Sequence, residues 1–332
     1  MTSAITVAAA NPVISYFKLV FTEDPFRGLY RLNAFDLLVI APYFAILLLL
    51  CFYGLHRYRI LYLYHKYRRN LPPTPQPFAE LPYVTIQLPL YNEQYVVERL
   101  IDVVTQIDYP RQRLEIQVLD DSTDETTAIA QACVARYAQL GVPIYLLHRD
   151  HRSGYKAGAL AEGLRQARGE FIAIFDADFL PSPDFLHRTI HYLSDPAVGA
   201  VQTRWTYANR HYSLLTEIQA ILLDGHFVLE HGARYRAGLF FNFNGTAGIW
   251  RRAAIAAAGG WSHDTLTEDT DLSYRAQLQG WKFIYLPDVE CASELPVEMN
   301  AFKAQQARWA KGLMQTARKI LPRVLRAKQP WQ

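Results

Sequence analysis

The chain of 332 residues has few cysteines, little excess charge and no repeats. Cys51, Cys133 and Cys291 form no CxxC pair and have no metal-ligand spacing, which argues against a disulfide framework or a zinc site and fits a reducing compartment. A formal net charge of +3 is too small to indicate a nucleic-acid partner, and we expect none. The length allows one large domain or two ordinary ones with a full-sized core.

One long apolar run stands out from this composition. Residues 35–55, FDLLVIAPYFAILLLLCFYGL, hold about 20 nearly unbroken apolar residues, enough to span the hydrocarbon core of a bilayer. A buried core helix is the alternative, but globular helices rarely stay apolar on every face. A cleavable signal peptide is disfavoured because the run starts late. Basic residues follow the run, so the positive-inside rule predicts a single-pass membrane protein with a cytoplasmic catalytic body.

From residue 83 the apolar pattern alternates between strands and helices. Strand-like runs cover 83–91, 114–122, 142–150, 169–179 and 198–207, and helical runs lie between them. This alternation predicts a doubly wound α/β fold with a mostly parallel sheet. The predicted segments are an N-terminal segment 1–34, a transmembrane helix 35–55, a basic juxtamembrane segment with a proline-rich linker 56–82, a catalytic domain 83–297 and an interface helix 298–332.

Polar side chains collect at the ends of three predicted strands. LYNE ends the first strand, DDST the second and DADF the fourth. Ligands of open α/β sheets bind beyond these ends. Asp176 and Asp178 suit Mg²⁺ or Mn²⁺ bound to a substrate diphosphate, although solvated turn aspartates would show the same pattern. Asp120 and Asp121 are expected to hydrogen-bond the base and ribose of a nucleotide, whereas helix capping explains Asp124.

Two loops and one helix start supply further polar groups. Lys156 in HRDHRSGYKAGAL suits a diphosphate, with a solvated charged loop as the alternative. The loop 240–252, FFNFNGTAGIWRR, combines aromatic, amide and glycine residues, as sugar sites do. In TLTEDTD, Glu268 or Asp269 is a candidate general base towards an acceptor hydroxyl. The alternative is structural, in which Thr265 or Thr267 caps a helix and the acidic residues complement its dipole.

The stretch QQARWAKG, residues 305–312, places an amide, a guanidinium and an indole beside further cations. Basic and apolar residues continue at helical spacing to about Arg326, which predicts an amphipathic helix on a membrane surface. That hypothesis explains Lys311 but gives Gln305, Arg308 and Trp309 no role. The membrane-surface helix and a role in an active site are compatible if the helix lies on the membrane and its face with Arg308 and Trp309 turns into that site.

Taken in order, LPLYNE, QVLDDSTD, GYKAGAL, FDADF, FNFNGTAGIWR, TEDTDL and QQARW resemble the motifs of family 2 glycosyltransferases. They are most similar to those of the membrane-bound β-glycan synthases, namely cellulose synthase and the plant cellulose-synthase-like mannan and glucan synthases. The match covers about residues 83–315. The resemblance implies a GT-A nucleotide-sugar fold and a metal-dependent, inverting hexosyltransferase.

The resemblance also implies a role for individual residues. Asp269 would be the general base, and Asp176 and Asp178 would hold Mg²⁺ or Mn²⁺. Arg308 would lie near the diphosphate and Trp309 under the acceptor sugar. The implied donor site comprises Tyr91, Glu93, Asp120, Asp121, Lys156, Asp176 and Arg308. The implied acceptor site comprises Asn244, Gly245, Glu268, Gln305 and Trp309.

Several alternatives remain for the substrates. The implied donor is UDP-glucose or GDP-mannose, and the implied acceptor is a growing glycan at the cytosolic membrane face. A single-transfer enzyme making a membrane glycolipid, of the ceramide or diacylglycerol glucosyltransferase type, shares related motifs. Polymer-extruding members carry further spanning helices after QxxRW, which leaves a truncated sequence, a channel-forming subunit or a short product open. A non-catalytic binding subunit should lack a base or metal ligand, and a sugar-1-phosphate nucleotidyltransferase should show a glycine-rich loop in place of LPLYNE.

Overall fold

The structure is a computed structural model that describes residues 34–327. The predicted N-terminal segment, apart from Ala34, and the final residues 328–332 lie outside the described residues. The chain divides into two compact units, Met1–Tyr58 and Arg59–Gln332.

Helix α1 contains the predicted apolar run. It extends over Ala34–Lys66, and its stretch Asp36–Lys66 is long and apolar enough to cross a membrane. None of the most apolar part of this stretch is buried. The helix therefore continues through the basic residues, past the predicted end at residue 55. The pair Pro72 and Pro73 follows soon afterwards and cannot continue a helix, because proline lacks the backbone N–H and its ring clashes with the preceding turn.

The second unit is built on one sheet of seven strands in the order β3-β2-β1-β4-β6-β5-β7. The strands are β1 Val84–Leu90, β2 Leu114–Asp120, β3 Ile144–His148, β4 Phe171–Ile174, β5 Val198–Tyr207, β6 Gly248–Arg251 and β7 Lys282–Ser293. All paired neighbours are parallel except for β6, which is antiparallel to both β4 and β5. The predicted mostly parallel α/β sheet is confirmed, and β6 and β7 were not predicted.

Helices cover both faces of the sheet. They are α2 Val97–Thr105, α3 Thr126–Gln139, α4 Tyr155–Gln166, α5 Phe185–Thr189, α6 Leu214–Asp224, α7 Gly232–Arg236, α8 Arg252–Ala257, α9 Glu268–Leu278 and α10 Met299–Arg326. Alternate residues of β4 enter different apolar clusters, with Phe171 and Ala173 in one and Ile172 and Ile174 in the other. Because successive strand residues point to opposite faces, there is one core on each side of the sheet.

Between α6 and α7 the chain forms a π-helical turn, Gly225–His231, which we call the π segment. The ring of His231 is fully buried there, and its Nε2 lies 3.0 Å from the carbonyl oxygen of Asn242. Burial, and secondly the nearby His226, lower the pKa of His231 from 6.5 to about 3. The native state therefore keeps this imidazole neutral at pH values where the unfolded chain binds a proton.

We expect this difference to make the fold acid-sensitive. Since the unfolded state binds more protons below pH 6.5, His231 lowers the free energy of unfolding by about 1.5 kcal/mol between pH 6.5 and 5. Denaturant titrations of the detergent-solubilised chain at these two pH values measure the change. The variant His231→Gln, which cannot titrate, should lose about that much of the pH dependence. If the free energy of unfolding of this variant depended on pH as strongly as that of the wild type, His231 would not be the group that titrates.

Candidate active site

The carboxyl ends of β1, β2 and β4 lie side by side, as the strand order requires, so the three polar strand ends meet at one edge. Asn92 connects two of them. Its backbone is left-handed, with φ 56°, its Oδ1 accepts the N–H of Thr123 at 3.0 Å, and its own N–H donates to Ser122 Oγ at 2.9 Å. An asparagine tolerates this conformation and bonds the neighbouring loop at the same time. Asn92 thus fixes the turn that carries Tyr91 and Glu93.

The two predicted nucleoside contacts already have partners within the protein. Asp120 is fully buried and accepts bonds from Thr127 at 2.6 Å and the Ser122 N–H at 3.1 Å, with His148 at 2.8 Å. Burial raises the pKa of Asp120, but these bonds lower it by more. Asp121 receives a two-pronged pair from Arg149, at 2.7 and 2.5 Å. Direct contact of either carboxylate with a donor stays a prediction.

Tyr91 is covered by a second arginine from the same loop. The guanidinium carbon of Arg152 lies 3.2 Å from the centre of the Tyr91 ring, and Tyr91 is 37% exposed. Arg149 and Arg152 both lie between β3 and α4. The sequence shows that this loop is basic but not the partner of either arginine, because Tyr91 and Asp121 follow two other strands.

Lys156 is the centre of the polar cluster. Its Nζ lies 2.5 Å from Asp176 Oδ1 and donates to the carbonyl oxygen of Gly245 at 3.1 Å. It therefore connects the start of α4, the end of β4 and the loop before β6. Its side chain is only 27% exposed, so the alternative of a freely solvated loop lysine is wrong. Burial alone would lower the pKa of Lys156, but the charges of Asp176 and Glu268 raise it.

Gly245 brings Asp269 to this lysine. Its φ is +83°, and a Cβ built on it would lie 2.9 Å from Asp269 Oδ2 and 3.4 Å from Lys156 Nζ. Only a glycine combines this backbone with so close an approach. Gln202 holds the loop in place, since its Oε1 accepts the N–H of Asn244 at 2.8 Å and its amide donates to the Thr246 carbonyl at 3.2 Å. The sequence pattern does not indicate that Gln202 stabilises this loop.

Carboxylates outnumber cations in this cluster. Asp178 is half-buried, and burial and the charge of Asp176 raise its pKa to about 7. Burial and the charge of Glu268 raise the pKa of Asp269 to about 7. The pKa of Glu268 is also raised, by burial first, and that of Glu93 by burial and by Asp176. Such an excess of hard oxygen donors is the chemistry that Mg²⁺ or Mn²⁺ prefers.

Helix α10 packs closely against the start of α9. A Cβ on Gly312 would lie 2.6 Å from Thr267 Cγ2, and the hydroxyl groups of Thr267 and Thr316 are 3.0 Å apart. Thr267 is the residue before α9, but its side chain makes no capping bond, and the hydroxyl of Thr265 has no hydrogen-bond partner among the described residues, so the alternative of helix capping by a threonine is wrong. Thr267 instead fastens α10 to the helix that begins with Glu268 and Asp269.

The QxxRW residues lie on α10, a few residues before this contact. Arg308 is exposed, and its charge opposes the rise in the pKa of Glu268, which shows that it lies near the carboxylate cluster. Gln305 and Trp309 are half-buried. Contacts of these three residues with a diphosphate or an acceptor sugar stay predictions. Large apolar side chains of the same helix are exposed, among them Leu313, Met314, Leu321 and Leu325.

Lys319 also holds α10 in place. Its Nζ lies 2.9 Å from the fully buried carboxylate of Asp271 and 2.7 Å from Asp264. We expect Lys319→Met to lower the free energy of unfolding by about 2 to 3 kcal/mol, because it removes one of the two cations that pair with Asp271. Lys282→Met is the matched control. Its ion pair to Asp195 is long and exposed, and its loss should cost less than about 0.5 kcal/mol. Equal losses in denaturant titrations would contradict the role of Lys319.

Together, the mixed α/β sheet, the paired aspartates after β4 and the acidic start of α9 are typical of the GT-A fold of nucleotide-sugar transferases. A solved mannosyltransferase from Pyrobaculum calidifontis, in complex with GDP-mannose and Mn²⁺, superposes with a TM-score of 0.66 and 26% identity. The superposition covers 82% of this chain and 74% of that one. S. aureus TarS residues 1–349 with UDP-GlcNAc has the same fold at a TM-score of 0.56 and 17% identity, covering 74% and 68%.

The family model described as glycosyltransferase like family 2 matches residues 82–312, and the chain belongs to that family. Two similar proteins are Arabidopsis thaliana glucomannan 4-beta-mannosyltransferases 7 and 2, at 43% and 45% identity over 75% and 76% of this chain. Glucomannan 4-beta-mannosyltransferase 1 of Oryza sativa subsp. japonica is 44% identical over 79% of it. The matches cover 46%, 48% and 52% of those proteins, so the chain spans about half the length of the curated relatives it matches.

Proposed function

We propose that the protein is an inverting β-mannosyltransferase that transfers mannose from GDP-mannose to a growing β-1,4-linked mannan or glucomannan. The observation that carries the chemistry is the convergence of Asp269, Lys156 and Asp176 around Gly245. The observation that favours mannose over glucose is the activity for which the relatives are named, together with the GDP-mannose bound by the similar Pyrobaculum calidifontis enzyme. UDP-glucose, the other predicted donor, is named by none of these three proteins.

A divalent ion fits the carboxylate cluster. Asp176 and Asp178 would hold Mg²⁺ or Mn²⁺, and the ion would offset the charge of the diphosphate when bound. The raised pKa of Asp178 supports this assignment, because a cation relieves the repulsion that raises it. Mn²⁺ accompanies GDP-mannose in the Pyrobaculum calidifontis enzyme.

In the proposed reaction each of these side chains has one role. Asp269 accepts the proton of an acceptor hydroxyl, and that oxygen attacks the anomeric carbon from the face opposite the diphosphate. Lys156 and Arg308 supply positive charge for the GDP that leaves, which stabilises the transition state where negative charge develops. One carboxylate is sufficient because the leaving diphosphate needs no protonation. An α-linked donor therefore yields a β-glycoside.

The proposal also includes the location of the protein and its acceptor. Helix α1 would anchor the protein to a bilayer, and the exposed apolar side chains of α10 would lie on its surface. Asn244, Gly245, Glu268, Gln305 and Trp309 would surround the acceptor sugar. A membrane glycolipid is the alternative acceptor, and a channel-forming subunit is a possible partner for a secreted product.

A donor panel tests the proposal. The purified 332-residue chain in detergent, with Mn²⁺ or Mg²⁺ and a short β-1,4-mannan oligosaccharide, should release nucleoside diphosphate from GDP-mannose at least about ten-fold faster than from UDP-glucose. A preference for UDP-glucose would contradict the assignment of the donor. Organic extraction of the labelled product separates a glycolipid from an elongated glycan, and a lipid-soluble single-sugar product would favour the alternative acceptor.

Metal removal gives a further prediction. Chelation with EDTA should reduce GDP release to the level without enzyme, and Mn²⁺ or Mg²⁺ should restore it, because two adjacent carboxylates otherwise repel the diphosphate. The variant Asp178→Asn should require a higher metal concentration for half-maximal rate. Full activity in EDTA would contradict the metal site.

A further inference from the structure

The π segment carries polar side chains that the sequence motifs leave out. In a π-helical turn the hydrogen bonds run from residue i to i+5, and such turns are frequent at functional sites. The rings of His226 and His231, five residues apart, meet edge to face, with centres 4.4 Å apart and planes at 66°. Both face the loop before β6. His231 Nε2 contacts the carbonyl oxygen of Asn242, and His226 Nε2 lies 3.3 Å from the amide nitrogen of Asn244.

These side chains form a hydrogen-bonded chain with one direction. Asn242 Nδ2 donates to Asn244 Oδ1 at 2.9 Å, and Asn244 Nδ2 donates to His226 Nε2. His226 Nδ1 then donates to Glu230 Oε2 at 3.3 Å, and Arg234 binds the other oxygen of Glu230 at 2.7 Å. Because an amide nitrogen only donates and a carboxylate only accepts, Nε2 of His226 is the acceptor and Nδ1 is the donor in this chain of bonds. It also determines which way the Asn244 amide points.

The Asn244 side chain keeps hydrogen-bonding capacity in this arrangement. One N–H of its Nδ2 and one lone pair of its Oδ1 are not used by the chain of bonds. The side chain is half-buried, and its backbone N–H is held by Gln202. The next residue, Gly245, is the point of closest approach to Asp269 and Lys156. A donor and an acceptor of fixed direction therefore lie one residue before Gly245, the residue that approaches the proposed base.

We propose that His226, supported by Glu230, is a positioning residue that fixes the amide of Asn244 to hydrogen-bond a hydroxyl group of the acceptor sugar beside Asp269. This inference rests on the proposed function, since it concerns the acceptor of that reaction. The role of His226 is indirect. It determines the rotamer of Asn244 and touches neither sugar.

The test separates acceptor effects from donor effects. We expect His226→Phe to raise the KM for a short β-1,4-mannan oligosaccharide roughly ten-fold, because the Asn244 amide loses its fixed direction. The KM for GDP-mannose should stay within about two-fold. His226→Gln offers a donor and an acceptor at similar reach and should recover most of the acceptor affinity. His211→Phe, at an exposed histidine paired only with Glu217, is the matched control and should change neither constant.

A double-variant comparison shows whether the two residues act together. Asn244→Ala leaves the π segment intact and should raise the acceptor KM as much as His226→Phe does, and the double variant should be no worse than either single one. Fully additive losses, or equal losses in donor and acceptor KM, would overturn the inference while wild-type transfer continues. Absence of any mannose transfer by the wild-type chain would overturn the proposed function and this inference with it.

Discussion

Asp269→Asn should lower the rate of mannose transfer by about 10²- to 10⁴-fold while changing the affinity for GDP-mannose by less than about two-fold. The amide has the shape of the carboxylate but cannot accept the proton of the attacking hydroxyl, and general-base catalysis contributes that much. The pair of measurements is the rate of labelled mannose incorporation and the dissociation constant of GDP-mannose by calorimetry. Both are made on detergent-solubilised full-length chain.

A matched aspartate provides the control for this result. Asp184 is exposed and bonds Ser182 before α5, so Asp184→Asn should leave both quantities unchanged. If Asp269→Asn transfers mannose at the wild-type rate, another group removes the proton. Glu268, the preceding residue in α9, would then be the one to test.

Gly245→Ala is expected to have a comparably large effect through geometry alone. The added Cβ would lie 2.9 Å from Asp269 Oδ2 and 3.4 Å from Lys156 Nζ, so the carboxylate and the ammonium must move apart. A displacement of about 1 Å at reacting groups can reduce a rate by about 100-fold. We therefore expect a loss of at least about 100-fold in mannose incorporation. The left-handed backbone adds a stability cost of about 1 to 2 kcal/mol.

Gly260→Ala separates the two effects of that substitution. Gly260 has a similar φ of +76°, but a Cβ there would contact nothing within 4 Å. Its replacement should lower the free energy of unfolding by a similar amount and leave the transfer rate within about two-fold. Equal losses of activity in both variants would mean that backbone strain, and not the approach to Asp269, determines the outcome.

The sequence predicts the parts of this protein that are encoded locally. The alternation of strands and helices gives the mostly parallel sheet, because each run of apolar residues has the period of the element it forms. Asp176 of FDADF meets Lys156 because parallel strands end at one edge. By contrast, β6 is only four residues long and lies inside a loop pattern, so its period cannot be recognised.

The remaining features depend on contacts between distant segments. The sequence indicates that Thr267 is a helix cap. In the structure its hydroxyl group instead lies 3.0 Å from that of Thr316, which is far along the chain. Gln202, on β5, accepts a hydrogen bond from the backbone N–H of Asn244. Arg149 donates to the carboxylate of Asp121. The π segment had a signal that was available, since His226, Glu230 and Arg234 are spaced four residues apart. That spacing indicates one helical face but does not reveal what the face contacts.

The stereochemistry of the product tests the central claim most directly. The 332-residue chain is incubated with GDP-mannose, Mn²⁺ and a short β-1,4-mannan oligosaccharide, and the elongated product is analysed by NMR. We expect a new mannosyl residue in β configuration, linked to the 4-hydroxyl of the acceptor end. A new α-linked residue would show retention of configuration and would contradict direct attack assisted by Asp269.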